Sequence, residues 1–172
     1  MKGIVKTNPF TMSGYFNVNN PCKINSDVVY DSVNDQFISF LSGSLWGCRW
    51  GDENKEIRSN TISWSYPALD SEDRLLFGYW DNCIVSLRLD DASAEPVVVV
   101  NGTTVENELV LDTERNEIYW WTHLNDKDHR INRVSYNGDS EIQVWGSSSP
   151  LKMITFQAPR SLRGGAKKVE ID

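Results

Sequence analysis

Three aspartates organise this 172-residue chain. Asp31, Asp70 and Asp112 stand 39 and 42 residues apart, and each closes a short apolar run: VVYD from Val28, PALD from Pro67 and LVLD from Leu109. Two further features follow each aspartate in the same order. Leu45 opens LWGCRWGD, Ile84 opens IVSLRLDD and Ile131 opens INRVSYNG; then come EIRSNTI from Glu56, EPVVVV from Glu95 and EIQVW from Glu141. A period near 40 residues, carried by three features at once, marks a repeat architecture in which no unit buries its apolar surface alone. Recurrence in every copy assigns the aspartate to turn formation, where its short carboxylate accepts nearby backbone N–H groups.

Each unit holds four β-type segments. In the third copy they are 108–111, 117–122, 131–136 and 141–145, separated by 112–116, the polar stretch 123–130, and Asn137-Gly138-Asp139. Asn-Gly predicts a two-residue type I′ turn, because both residues tolerate positive φ. No apolar 3.6-residue period runs long enough to predict a helix. Four antiparallel strands in about 40 residues predict an all-β fold, a β-propeller of four-stranded blades. The blades fall at 27–65, 66–106 and 107–148 of a single domain, 1–172. The termini, 1–26 and 149–172, carry strand-like segments at 3–7, 14–18, 153–156 and 168–171. They supply a split fourth blade, an intermolecular blade in a larger ring, or part of a longer propeller. Because an open array leaves an unpaired apolar face at each end, self-association into a homo-oligomer is the expectation.

The units resemble the YWTD repeat, the class B repeat of the low-density lipoprotein receptor family, which runs roughly LALD-P-x-x-x-x-LYWTD, then IxRAxLDG, then a short apolar strand. The third copy supplies LVLD, IYWWT, INRVSYNG and EIQVW, and the second ALD, LFGYWD and IVSLRLDD, so the likeness covers about residues 27–146. Phe40, Tyr79 and Trp121 occupy the family Thr position, and Leu41, Trp80 and Thr122 the family Asp. The resemblance implies a propeller used for binding a protein or other ligand. The related NHL and gluconolactonase-like propellers imply a second reading, a metal-dependent hydrolase.

In such propellers the first strand of each blade lines the axis. The connections 41–44, 80–83 and 122–130 then share one rim with the inter-blade segments 60–66, 101–107 and 146–151. Asp112 to Ile131 spans 19 positions where the other two copies span 14, so the third copy inserts five residues on that rim. Insertions confined to one face mark the binding side. The insert holds both histidines of the chain, and its ligand-binding candidates are His123, Asn125, Asp126, Asp128, His129 and Arg130. Imidazole is the side chain that titrates near neutrality, which suits the loop to pH-dependent binding. Two imidazoles and two carboxylates suit a divalent ion too, but the glycine and closing Glu of a calcium loop are missing; no metal or cofactor is expected.

Trp46, Trp80 and Trp121 sit at or near strand ends and join the candidates, whereas Trp50 and Trp120 are expected in the core. Trp80 abuts Asp81 and Asn82, the combination with which an indole stacks on a sugar while polar groups meet its hydroxyls. The same indole suits a protein hot spot. A carbohydrate-binding, lectin-like propeller is therefore the alternative to a protein-binding one.

No nucleophile elbow, phosphate-cradling glycine loop or H-E-x-x-H motif is present, so no catalytic residue is assigned and the chain is expected not to be an enzyme. A formal charge of −7 disfavours nucleic-acid and anionic-membrane partners. The longest apolar run is four residues, Val97 to Val100, which spans no bilayer. The one basic stretch, 160–168, reads as a solvated tail. Three widely spaced cysteines, Cys22, Cys48 and Cys83, fit neither a disulfide framework nor a zinc site. With no apolar leader, they point to free thiols and a cytoplasmic chain. Asn101-Gly102-Thr103 is an N-glycosylation triplet, meaningful only in a secreted chain.

Overall fold

The computed structural model describes residues 27–41, 43–49, 52–59, 64–106, 108–123, 128–139 and 141–146, and the backbone alone at 124–125, 147, 154–156 and 169–171. The segments expected as strands at 3–7 and 14–18, Trp50, Asp126 and the basic stretch lie outside the described residues.

Each repeat forms one up-and-down antiparallel sheet. The first contains β1 (Val28–Asp31), β2 (Gln36–Leu41), β3 (Ser44–Cys48) and β4 (Lys55–Arg58). The second contains β5 (Ser65–Asp70), β6 (Leu75–Trp80), β7 (Cys83–Arg88) and β8 (Val97–Asn101). The third contains β9 (Leu109–Asp112), β10 (Glu117–Asn125), β11 (Asp128–Ser135) and β12 (Ile142–Ser147). No helix occurs among the described residues. Two short strands, β13 (Ile154–Phe156) and β14 (Val169–Ile171), pair antiparallel. The first strands lie side by side in the order β1, β5, β9, β13. This is the stacking of propeller blades about their innermost strands.

The repeat extends to the backbone. Each aspartate Oδ1 accepts the N–H groups two and three residues on: Val33 and Asn34 for Asp31, Glu72 and Asp73 for Asp70, Glu114 and Arg115 for Asp112. The residue closing each turn is left-handed, with φ 50° at Asp35, 56° at Arg74 and 55° at Asn116. A bulge interrupts the third–fourth strand pairing at Leu45/Trp46, Ile84/Val85 and Ile131/Asn132, the same repeat position in all three. The aspartates therefore build turns, as their recurrence predicts.

Alternation within each strand sends side chains to both neighbours. Val29, Ile38, Phe40 and Leu45 of the first sheet meet Leu76, Val85 and Leu87 of the second, with Trp64 between them. Ala68, Phe77, Ile84 and Val100 of the second sheet meet Leu109, Leu111, Ile118, Trp120 and Val134 of the third. Leu76 and Phe77 are adjacent in sequence and serve opposite interfaces. Full burial of such side chains is worth roughly 1.5–3 kcal/mol each, so the middle sheet is stable through its neighbours on both faces. Polar links reinforce the seams. Arg74 Nη1 of the second sheet donates to Asp31 Oδ1 of the first at 2.7 Å, and Tyr136 Oη of the third donates to Asp70 Oδ2 at 3.2 Å.

Three expectations need correction. Asn137-Gly138 does not form a type I′ turn: Gly138 alone has positive φ, its N–H bonding the Ser135 carbonyl, so a type I turn ends in a glycine bulge. The stretch 123–130 is not a loop, because β10 continues to Asn125 and β11 begins at Asp128. The five extra residues lengthen both strands of one hairpin, which satisfies their backbone groups in the ladder instead of leaving them to solvent. Free thiols are found at Cys83 and not at Cys48, which is disulfide-bonded.

Candidate functional site

The rim is assembled from three elements: the β6–β7 turn, the connection 102–106, and the lengthened β10–β11 hairpin. Asp81 and Asn82 form the turn, with φ 49° and 62°, the pair of positive values that a type I′ hairpin needs. Asn and Asp tolerate this conformation because their short side chains bond locally. The turn leaves Trp80 at the strand end, 40% exposed.

The connection 102–106 binds both hairpins. The Asn82 carbonyl accepts the Thr103 N–H at 2.9 Å, and Tyr79 Oη donates to Asn82 Oδ1 at 3.1 Å. Thr103 Oγ1 accepts the indole N–H of buried Trp120 at 2.9 Å. Three residues on, the Glu106 N–H bonds the Trp121 carbonyl at 3.1 Å, the Glu106 carbonyl accepts Tyr66 Oη at 3.3 Å, and its carboxylate Oε1 lies 3.0 Å from His123 Nδ1. Tyr66 stacks on Tyr79 with ring centroids 6.4 Å apart. Burial and the neighbouring Glu106 carboxylate push the Tyr79 hydroxyl pKa up, so it stays a neutral donor.

Cross-strand pairing decides what the insert presents. His123 faces His129 and Trp121 faces Ile131, so all four share one side of the sheet. The His129 ring lies 5.8 Å from Trp121 and 6.1 Å from His123. His129 is only 7% exposed, and among the described residues both its Nδ1 and the Trp121 Nε1 are buried without a hydrogen-bond partner. A buried polar atom left unpaired costs about 1–3 kcal/mol. On the other side, Arg130 grips Asp128 with two hydrogen bonds of 2.9 and 2.7 Å. That bidentate pair holds the Asp128 carboxyl below its ordinary range.

Of the sequence candidates, Asn82, Trp121 and His123 thus bond to the connection 102–106, Trp80 and Asp81 adjoin Asn82 in the turn, and His129 packs on Trp121 and His123, with Asp128 and Arg130 on the reverse of the same hairpin. Asn125 sits where the hairpin turns, paired with Asp128 in the ladder. Trp46 belongs elsewhere: it lies within β3 of the first sheet, opposite Ser39, and its indole donates to the Leu41 carbonyl at 3.2 Å. Tyr66, Tyr79, Thr103 and Glu106 are rim residues that sequence reasoning did not single out. For Tyr66, Thr103 and Glu106 the signal was their place in the inter-blade segments expected on this rim, and for Tyr79 its place beside Trp80 near the end of β6. Among the described residues no group of three or more His, Cys, Asp or Glu is placed to hold a metal ion.

No protein-family model matches the chain, and no curated protein does. Solved structures do. A chain from "Crystal structure of Nidogen/Laminin Complex" superposes with a TM-score of 0.56 at 18% identity, covering 76% of this chain and 51% of that one. The present chain spans about half the length of the solved chain it matches, and what the two share is an all-β, propeller-like fold.

Proposed function

We propose that this chain is a non-enzymatic binding propeller that receives a protein partner on the rim between the β6–β7 turn and the β10–β11 hairpin. The observation that carries this reading is the pair of buried, unpartnered atoms, Trp121 Nε1 and His129 Nδ1, on the hairpin that only the third repeat lengthens. A partner's backbone carbonyl or carboxylate would supply the missing acceptor, while Trp80 offers the exposed aromatic surface of a hot spot. His123 is held by Glu106 and His129 packs on Trp121, an arrangement suited to shaping a surface more than to moving protons. The solved neighbour comes from a protein–protein complex, which supports the same class of role.

Panning a displayed peptide library against the purified chain tests the reading. Selected peptides are expected to lose at least tenfold in affinity on Trp121→Ala and on Trp80→Ala, and not on Tyr30→Ala in the first sheet. Peptides indifferent to both rim tryptophans would refute it. Trp80 beside exposed Asp81 and Asn82 favours a second reading, carbohydrate binding, which a glycan array decides directly.

Self-association belongs to the same proposal. Three full sheets and the two-stranded β13–β14 pair make about half the length of the matched propeller chain, so a second copy would supply the remainder of a ring. Light scattering is expected to give about twice the 19.6 kDa chain mass; the mass of a single chain would overturn this part and leave the rim reading standing.

A further inference from the structure

Val97–Asn101 forms β8, the outer edge of the second sheet, hydrogen-bonded among the described residues on one side only, to β7. Val97 and Val98 on this edge are 61% and 55% exposed. An exposed, apolar edge strand is a template for pairing with foreign strands, and folded proteins cover or blunt such edges. At its end stands the triplet Asn101-Gly102-Thr103. Asn101 is exposed, and Gly102 turns the chain away at φ 71° with open space around it. The acceptor is therefore accessible, and Asn101 itself stands at a strand end. A second observation comes from the far side of the first sheet, where buried Cys48 is disulfide-bonded. Disulfides form and persist in oxidising compartments, the setting in which N-glycosylation has meaning.

We propose that Asn101 carries an N-linked glycan that shields the β8 edge. In the transfer, Asn101 Nδ2 displaces the lipid diphosphate from the anomeric carbon of a lipid-diphosphate-linked oligosaccharide. A C–N bond forms, the C–O bond to the diphosphate breaks, and the amide nitrogen releases one proton to the transferase. Thr103 is the hydroxyl residue of the triplet, and its Oγ1 also accepts the Trp120 indole N–H. The glycan would stand beside Asn82 and the half-buried thiol of Cys83, whose Sγ lies 3.4 Å from Asn101 Oδ1. It would also border the rim at the start of the connection 102–106.

The test is secretion of the full chain from cultured animal cells, followed by peptide N-glycosidase digestion and mass analysis. A single enzyme-sensitive glycan at Asn101 is expected, lost in Asn101→Gln and retained in Thr103→Ser, which keeps both the triplet and an acceptor for Trp120. Asn101→Gln leaves the Thr103–Trp120 bond untouched, so loss of the mass shift there reports the acceptor and not misfolding. Enzymatic removal of the glycan from folded protein is expected to increase self-aggregation, because it bares the edge. Secreted wild-type protein of unmodified mass, or with a glycan that survives Asn101→Gln, would overturn the proposal.

Discussion

Gly138 offers a direct measure of how closely the second and third sheets are stacked. It lies in the β11–β12 turn, and a Cβ built there would stand 2.6 Å from the Val99 carbonyl oxygen of β8. That oxygen is backbone, so it cannot swing aside as a side chain would. Gly138 also has φ 86°, whereas Gly102, φ 71°, has no atom within 4 Å of the same built position. Substituting alanine at either glycine incurs the left-handed backbone cost, about 1–2 kcal/mol. At Gly138 alone there is an added overpacking cost of about 1–3 kcal/mol. Gly138→Ala should therefore destabilise by about 2–5 kcal/mol and Gly102→Ala by about 1–2 kcal/mol. Urea unfolding followed by tryptophan fluorescence reads both, and unchanged m-values would show that only stability moved. If the two variants differed by less than about 0.5 kcal/mol, the sheets would not be in contact at this seam, and the stacked-blade description would fail.

The seam between the first and second sheets is tested at Arg74 and Asp31. Arg74→Met keeps the aliphatic stem but strands a fully buried Asp31 carboxylate, held then only by neutral donors from Asn34, Gln36 and the backbone; about 3–5 kcal/mol of stability should be lost in the same urea assay. Asp31 also gives a pH signature. Burial opposes its charge, but the hydrogen bonds from Arg74, Asn34 and Gln36 outweigh it and hold the carboxyl below its ordinary value. A depressed folded-state pKa stabilises above the unfolded value of about 3.9 and loses that contribution as pH falls through the folded value. Asp31→Asn should accordingly be less stable than wild type at pH 7, with the gap closing below about pH 4. A gap that stays constant down to pH 2 would deny Asp31 its role.

Legibility followed a physical division. The repeat, its four strands and its aspartate turns were readable because local chemistry recurs: an Asx turn needs only the carboxylate and the next few backbone groups. Turn types were less so. Asn137-Gly138 carried the strongest hairpin signal and forms a bulged turn, while Asp81-Asn82, which has no glycine, adopts the two positive φ values of a I′ turn. Inter-sheet contact decides between them, since the Gly138 turn must fit over Val99. The alternation that usually reveals strands was masked in Ile118-Tyr119-Trp120-Trp121, because neighbours on both faces demand apolar side chains.

The insert was found from its length, but its conformation depended on pairing that length cannot reveal. Polar residues such as His123, Asp128 and His129 read as a solvated loop when each is considered alone. Placed opposite one another across a ladder, they are ordered by backbone hydrogen bonds, and burial then follows position and not polarity. His129 shows the consequence: alternation turns its ring inward beside Trp121, where it loses water without gaining a partner. A lengthened hairpin stabilised by its own ladder can tolerate a cost of that size, and a bare loop cannot. The feature that hides this hairpin from sequence is thus the same one that makes its unsatisfied surface sustainable, and under the proposed function a bound acceptor at Trp121 and His129 would recover the free energy the fold leaves there.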